Sequence, residues 1–165
     1  MCATHEQLFV APAWVGSVLP CRRSFLATRR SEAIVTDVLI ADNDGAISAL
    51  LTEVLARSGL TVAHAFDGES ARARVREPGL RVVVCDLDMP RASGLEVIES
   101  MADLEPVPPT VVISGFLDAS ITDRLARLSH VRAVLRKPFD LLAFAARVQQ
   151  LAADHGACAR ASVEH

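Results

Sequence analysis

The sequence predicts an α/β fold: a doubly wound, five-stranded parallel sheet with five helices covering both faces. Two observations predict it. Between residues 34 and 154, short runs rich in β-branched residues alternate with segments whose apolar residues recur at spacings of three and four. The strand-like runs are also almost uninterruptedly apolar, as strands buried on both faces must be. Right-handed crossovers between parallel strands then distribute the helices over the two faces.

The elements follow in order. Ile34–Ala41 (IVTDVLIA) reads as the first strand and ends in Asp42, Asn43 and Asp44. Ile47–Arg57 places apolar residues at 47, 50, 51, 54 and 55, one stripe of an amphipathic helix, and Ser58-Gly59 stops it. Thr61–Phe66 is a short strand, Asp67-Gly68 a turn, and Glu69–Arg76 a helix rich in Ala and Arg. Leu80–Cys85 (LRVVVC) reads as a buried strand delivering Asp86. Gly94–Ala102 is helical, and Thr110–Ile113 is the fourth strand, with Ser114-Gly115 at its end. Asp118 caps a helix reaching Leu128. Val131–Leu135 is the fifth strand and runs into Arg136-Lys137-Pro138-Phe139, after which Asp140 caps a last helix through Ala153.

Composition narrows the class. A chain of 165 residues that is 51% apolar and 22% charged can bury one core and is not built to stay disordered. Its formal charge of −3 supplies no basic field for nucleic acid. The longest apolar stretch, Leu8 to Pro20, is broken by prolines and too short to span a bilayer. Cys2, Cys21, Cys85 and Cys158 show no Cys-x-x-Cys spacing, which argues against a zinc site or a disulfide framework and fits a reducing cytoplasm. The chain has 16 arginines and one lysine, Lys137, so that position is expected to need a compact ammonium.

Residues 1–33 read as a disordered extension, with a membrane- or partner-binding segment as the sharper alternative. Arg22-Arg23-Ser24-Phe25-Leu26 is superficially like an export signal, but its apolar run precedes the arginines instead of following them. Residues 34–154 form the folded domain, and 155–165 read as a polar tail. His64 and His130 are isolated and read as surface or loop residues.

In an open parallel sheet, sites form outside the carboxyl ends of the strands. Strand 1 delivers Asp42, Asn43 and Asp44 there, strand 3 Asp86 and Asp88, strand 4 Ser114 and strand 5 Lys137. Neighbouring carboxylates repel unless a cation is present, and a set of hard oxygen ligands points to Mg²⁺. No glycine-rich phosphate loop and no Ser-His-Asp set occurs.

Five ordered segments carry a resemblance to a family. VLIADND, SGLTVAHAFDGESA, VVVCDLDMPRASGLEVI, VVISG and LRKPF, spread over Val35 to Leu151, resemble in order and spacing the receiver domain of bacterial two-component response regulators. The resemblance implies a flavodoxin-like strand order of 2-1-3-4-5 and a stand-alone, chemotaxis-regulator-like receiver rather than an enzyme. It implies that Asp86 takes a phosphoryl group from a histidine kinase or phosphotransfer protein, and that Mg²⁺ is held by Asp42, Asn43, Asp86 and the carbonyl of Asp88. Ser114 would bind a phosphoryl oxygen, Lys137 would pair with the carboxylate and then the phosphate, and the Lys137-Pro138 bond would be cis. Output would be a changed surface for a downstream effector on helix 4, strand 5 and helix 5, where Arg124 and Arg127 are expected to be left for a partner.

Two positions depart from the family pattern. Asn43 stands where a second metal-binding carboxylate is usual, so Mg²⁺ affinity is expected to fall, with the Asp88 side chain partly replacing the charge. Val134 stands where a switching Tyr or Phe is common. Phe116, two residues past Ser114, is expected to slow hydrolysis of the phosphate. A phosphorylation-independent pseudo-receiver, acting as a constitutive interaction module, is the alternative. A hydrolase with a nucleophilic Asp on a related sheet is opposed by the absence of any encoded substrate cap.

Overall fold

The structure is a computed structural model that describes residues 35–161. The expectation of a disordered extension at 1–33 lies outside the described residues. Five parallel strands, β1 (Val38–Ala41), β2 (Val62–Ala65), β3 (Val82–Asp86), β4 (Thr110–Ser114) and β5 (Val131–Arg136), form one sheet in the order β2-β1-β3-β4-β5. The helices between and after them are α1 (Gly45–Ala56), α2 (Gly68–Arg74), α3 (Gly94–Glu99), α4 (Ala119–Ala126) and α5 (Leu141–Ala161). The expected fold class, strand order and helix count are those observed.

Alternation along the strands builds two cores. Val38, Ile40, Val82, Val84, Val111 and Ile113 face one way and pack with Leu51 and Leu55 of α1 and Phe144 and Val148 of α5. Leu39, Ala41, Val83, Cys85 and Val112 face the other way and meet Ala71 of α2, Val97 and Ile98 of α3, and Leu125 of α4. The two-residue period of a strand makes this division unavoidable once both faces are covered. Each fully buried Leu, Ile or Phe contributes about 2 kcal/mol of transfer free energy.

Helix starts obey their capping signals. Asp44, Asp67, Ser93 and Asp118 cap α1 to α4 through side-chain oxygens, and Ser93 forms a capping box with Glu96. Asp140 Oδ1 accepts the Ala143 N–H at the start of α5.

Three expectations need correction. The first strand begins at Val38 instead of Ile34, because Asp37 is used as an anchor: its carboxylate accepts the Thr61 N–H and pairs with Arg81. The last helix runs to Ala161, past the expected end at Ala153 and into the supposed tail. Gly156 is a helical residue on which an added Cβ would lie 2.6 Å from Arg81 Nη2. His64 is not a surface or loop residue but lies half-buried in β2 against Thr52. His130 does lie in a loop, the α4–β5 connection, but it is buried, with Nε2 donating to the Ile98 carbonyl at 3.0 Å.

These histidines set an acid limit. Burial, followed by a nearby arginine for His64 and His155, holds their pKa values below the ordinary 6.5; for His130, burial outweighs the opposing bond to Ile98. A base whose folded pKa is depressed gives full stability above its unfolded value and loses it as pH falls through the folded value. The urea midpoint is therefore expected to fall between pH 7 and pH 5, and less steeply in a His130→Gln variant. Identical pH slopes for the two proteins would remove His130 from this account.

Candidate functional site

The strand order reverses between β1 and β3, and a crevice opens outside their carboxyl ends. Asp42 follows β1 directly and Asp86 closes β3; pairing of Ala41 with Cys85 sets them side by side. Both are buried, as is Ser114 at the end of β4. Lys137 follows β5, and its backbone N–H donates to the Ser114 carbonyl at 2.8 Å, so β4 and β5 are tied at the site.

The lysine organises the centre. Its Nζ donates to Asp86 Oδ2 at 2.6 Å and to Asp42 Oδ2 at 2.9 Å. Burial works against the ammonium, but the hydrogen bonds and charges of Asp86 and Asp42 outweigh it and raise the pKa of Lys137 above the ordinary 10.5. The group is therefore a fixed cation at neutral pH. The other carboxylate oxygens are held by backbone: Asp42 Oδ1 accepts from Asp44 N at 2.8 Å, and Asp86 Oδ1 from Asp88 N at 3.1 Å. Ser114 Oγ donates to the Phe116 carbonyl at 2.6 Å and accepts the Phe116 N–H at 3.1 Å. Its hydroxyl is thus engaged within its own loop.

A cleft of about 520 Å³ opens over Asp86 and Lys137, lined also by Leu87, Asp88, Ser114, Gly115, Phe116 and Ile121. Phe116 is 69% exposed at its mouth. Asp86 therefore has a route to solvent although it is buried. Cys85, beside it, is no rival nucleophile: burial and the charges of Asp86 and Asp42 push its thiol pKa far up.

Asp42, Asp86 and Lys137 come together, Ser114 lines the same cleft, and the cis Lys137-Pro138 bond is present. Asp44 does not join them; its carboxylate caps α1. Asn43 and the Asp88 side chain are exposed. The donor set fits Mg²⁺, which takes one or two carboxylates and keeps several waters. Asp42 and Asp86 supply two carboxylates bound to one ammonium, and all nearby donors are oxygens. Among the described residues no three acidic, histidine or cysteine side chains converge, as a dedicated protein cage would require. Arg124 is not free for a partner as expected, because its guanidinium makes a bidentate pair with Glu99 of α3.

Sequence reasoning missed what holds the site in place. Gly94 packs so closely that a Cβ there would lie 1.9 Å from the carbonyl oxygen of Asp86, and Gly68 so closely that a Cβ would lie 2.0 Å from that of Ala92. Gly-x-x-x spacing gives no sign of such contacts; the available hint was only that each glycine opens a helix.

The fold and site define a doubly wound α/β protein with an acidic, lysine-bridged centre at its switch point. The chain belongs to the response regulator receiver domain family, whose model matches residues 38–149. It is a receiver domain of the two-component response regulators, a family that accepts phosphoryl groups, binds Mg²⁺ at the phosphorylation site, interacts with histidine kinases and effectors, and is generally non-enzymatic. It is 34% identical over 128 residues to the transcriptional regulatory protein PrrA of Mycobacterium leprae, covering 77% of this chain and 54% of that one. The chain thus spans about half the length of that relative. It is 27% identical to the response regulator receiver protein CpdR of Brucella abortus, over 63% of this chain and 86% of that one. The CheY-like receiver domain structure from Methanospirillum hungatei superposes with a TM-score of 0.68 at 18% identity, over 74% of this chain and 97% of that one. Among the described residues no helix is long and apolar enough to cross a membrane.

Proposed function

We propose that Asp86 is the phosphoacceptor of a cytoplasmic response regulator that takes its phosphoryl group from a sensor histidine kinase or phosphotransfer protein. The single observation carrying this reading is Lys137 Nζ, shared between Asp86 and Asp42 at a cleft open to solvent. A carboxylate oxygen of Asp86 attacks the donor phosphorus in line, the P–N bond breaks, and the imidazole leaves with the electron pair and later regains a proton from solvent. The product is an acyl phosphate on Asp86. Lys137 then follows the anion on its flexible stem, which arginine's planar fork could not do. Ser114 exchanges its bond to the Phe116 carbonyl for one to a phosphoryl oxygen.

Asp42, Asp86, Asn43 and the Asp88 carbonyl are the residues that would hold Mg²⁺, whose chemistry when bound is to offset phosphoryl charge. Output is a change of protein-binding surface, a shift between two populated states. With Val134 at β5 and no aromatic there, the shift passes through backbone: the Ser114–Lys137 link couples β4 to β5. The net charge of −3 supplies no basic field for direct DNA contact. Effector proteins are then the downstream partners.

Incubation with Mg²⁺ and acetyl phosphate, followed by intact-mass measurement, tests the reading. The expected result is the gain of one phosphoryl group, absent in Asp86→Ala. No gain in either protein would overturn the reading in favour of a pseudo-receiver. The exposed Asn43 yields a second expectation. Asn43→Asp adds a negative charge at the cluster and should tighten Mg²⁺ binding roughly tenfold in a calorimetric titration. Equal affinities would remove residue 43 from the metal site.

A further inference from the structure

The loop between β3 and α3, residues 87–93, is pinned to the turn between β2 and α2 by a contact that lies away from the cleft. Arg91 pairs through its guanidinium with Asp67 Oδ2, whose side chain is only 6% exposed. Arg91 also adopts φ +69°, a left-handed conformation disfavoured for a residue with a side chain, and persists there because the surroundings hold it. Beside it, Gly68 N donates to the Pro90 carbonyl at 3.1 Å, and Gly94 N to the Leu87 carbonyl at 3.0 Å. The same loop supplies Asp88 N to Asp86 Oδ1.

We propose that Asp67 and Arg91 are positioning residues: their ion pair holds the 87–93 loop in the conformation that presents the Asp86 carboxylate for phosphoryl transfer. The proposal rests on Asp86 being the phosphoacceptor. The pair touches neither donor nor metal and acts through the Asp88 backbone. Asp67 has a second duty, accepting the Ser70 N–H and hydroxyl at the start of α2. Asp67→Asn separates the two duties, because an amide oxygen can still cap the helix while the charge facing Arg91 is lost.

The test compares the parent chain with Arg91→Ala, Asp67→Asn, the double variant and Arg91→Lys. Phosphorylation by acetyl phosphate is followed by intact mass across donor concentrations, and backbone hydrogen exchange across 87–93 is measured without donor. The expected result is a saturating rate about tenfold lower in each single Ala or Asn variant, with the half-saturating donor concentration unchanged. The double variant should be no slower than the slower single, Arg91→Lys should recover most of the rate, and exchange should quicken in 87–93 alone. Parental rates in both single variants, or effects that multiply in the double, would overturn the proposal. A parent chain that gains no mass would instead fail the assignment of Asp86 as phosphoacceptor and the positioning role with it. Faster loop exchange in the variants would then mark a purely structural pair.

Discussion

Gly94→Ala is expected to lower stability by about 3 kcal/mol, a large share of the roughly 5–15 kcal/mol that holds a domain of this size together. The added methyl would sit 1.9 Å from the Asp86 carbonyl oxygen and 2.8 Å from Leu87 Cα. Both are backbone atoms, so no side chain can swing aside to make room. Relief requires α3 to withdraw from the end of β3, which displaces Asp86, the proposed phosphoacceptor. Urea denaturation measures the first effect, and acetyl phosphate labelling of the folded fraction should show slower acceptance as the second. Gly45→Ala is the control, because nothing lies within 4 Å of its would-be Cβ and its φ is ordinary. That change should be neutral or slightly stabilising. Equal losses in the two variants would refute the close-approach argument.

Lys137→Ala is expected to have the largest effect on chemistry, slowing phosphoryl acceptance by about 100-fold, the scale of losing one preorganised charge from an active site. The variant leaves Asp42 and Asp86 facing each other without the ammonium that now lies 2.9 and 2.6 Å from them. Removing one partner of a largely buried ionic cluster costs about 3 kcal/mol. Lys137→Met, which keeps most of the stem but not the charge, discriminates in urea denaturation: a variant as stable as the parent would argue that the lysine contributes packing and not charge. Lys137→Arg should fail to restore the rate, since its fork cannot occupy a point shared by two carboxylates.

The legible parts of the molecule were those whose cause is local or periodic. VVVC before Asp86 could only be a covered strand, and parallel topology then carried Asp86 to the same edge as Asp42, Ser114 and Lys137. The use of lysine once among many arginines also marked its position before any geometry was known. What stayed hidden depends on contacts distant in sequence. Asp67 looked like a turn residue because its partner is 24 positions away. Arg124 looked available because Glu99 lies on another helix. His130 gave no sign of being buried because its partner, the Ile98 carbonyl, is 32 positions away. Asp44 was grouped with the acidic cluster, whereas a free helix N-terminus nearby claimed it.

That one side-chain amine bridges the carboxylates has a chemical corollary. Any acyl donor acting on lysines in this chain has a single side chain to modify, and modification there converts the cation into a neutral amide. Acylation would therefore abolish the ionic balance of the centre in one event, whereas arginine-rich surroundings are untouched. Because Nζ is sequestered by two anions, the speed of that reaction reads how tightly the centre is closed.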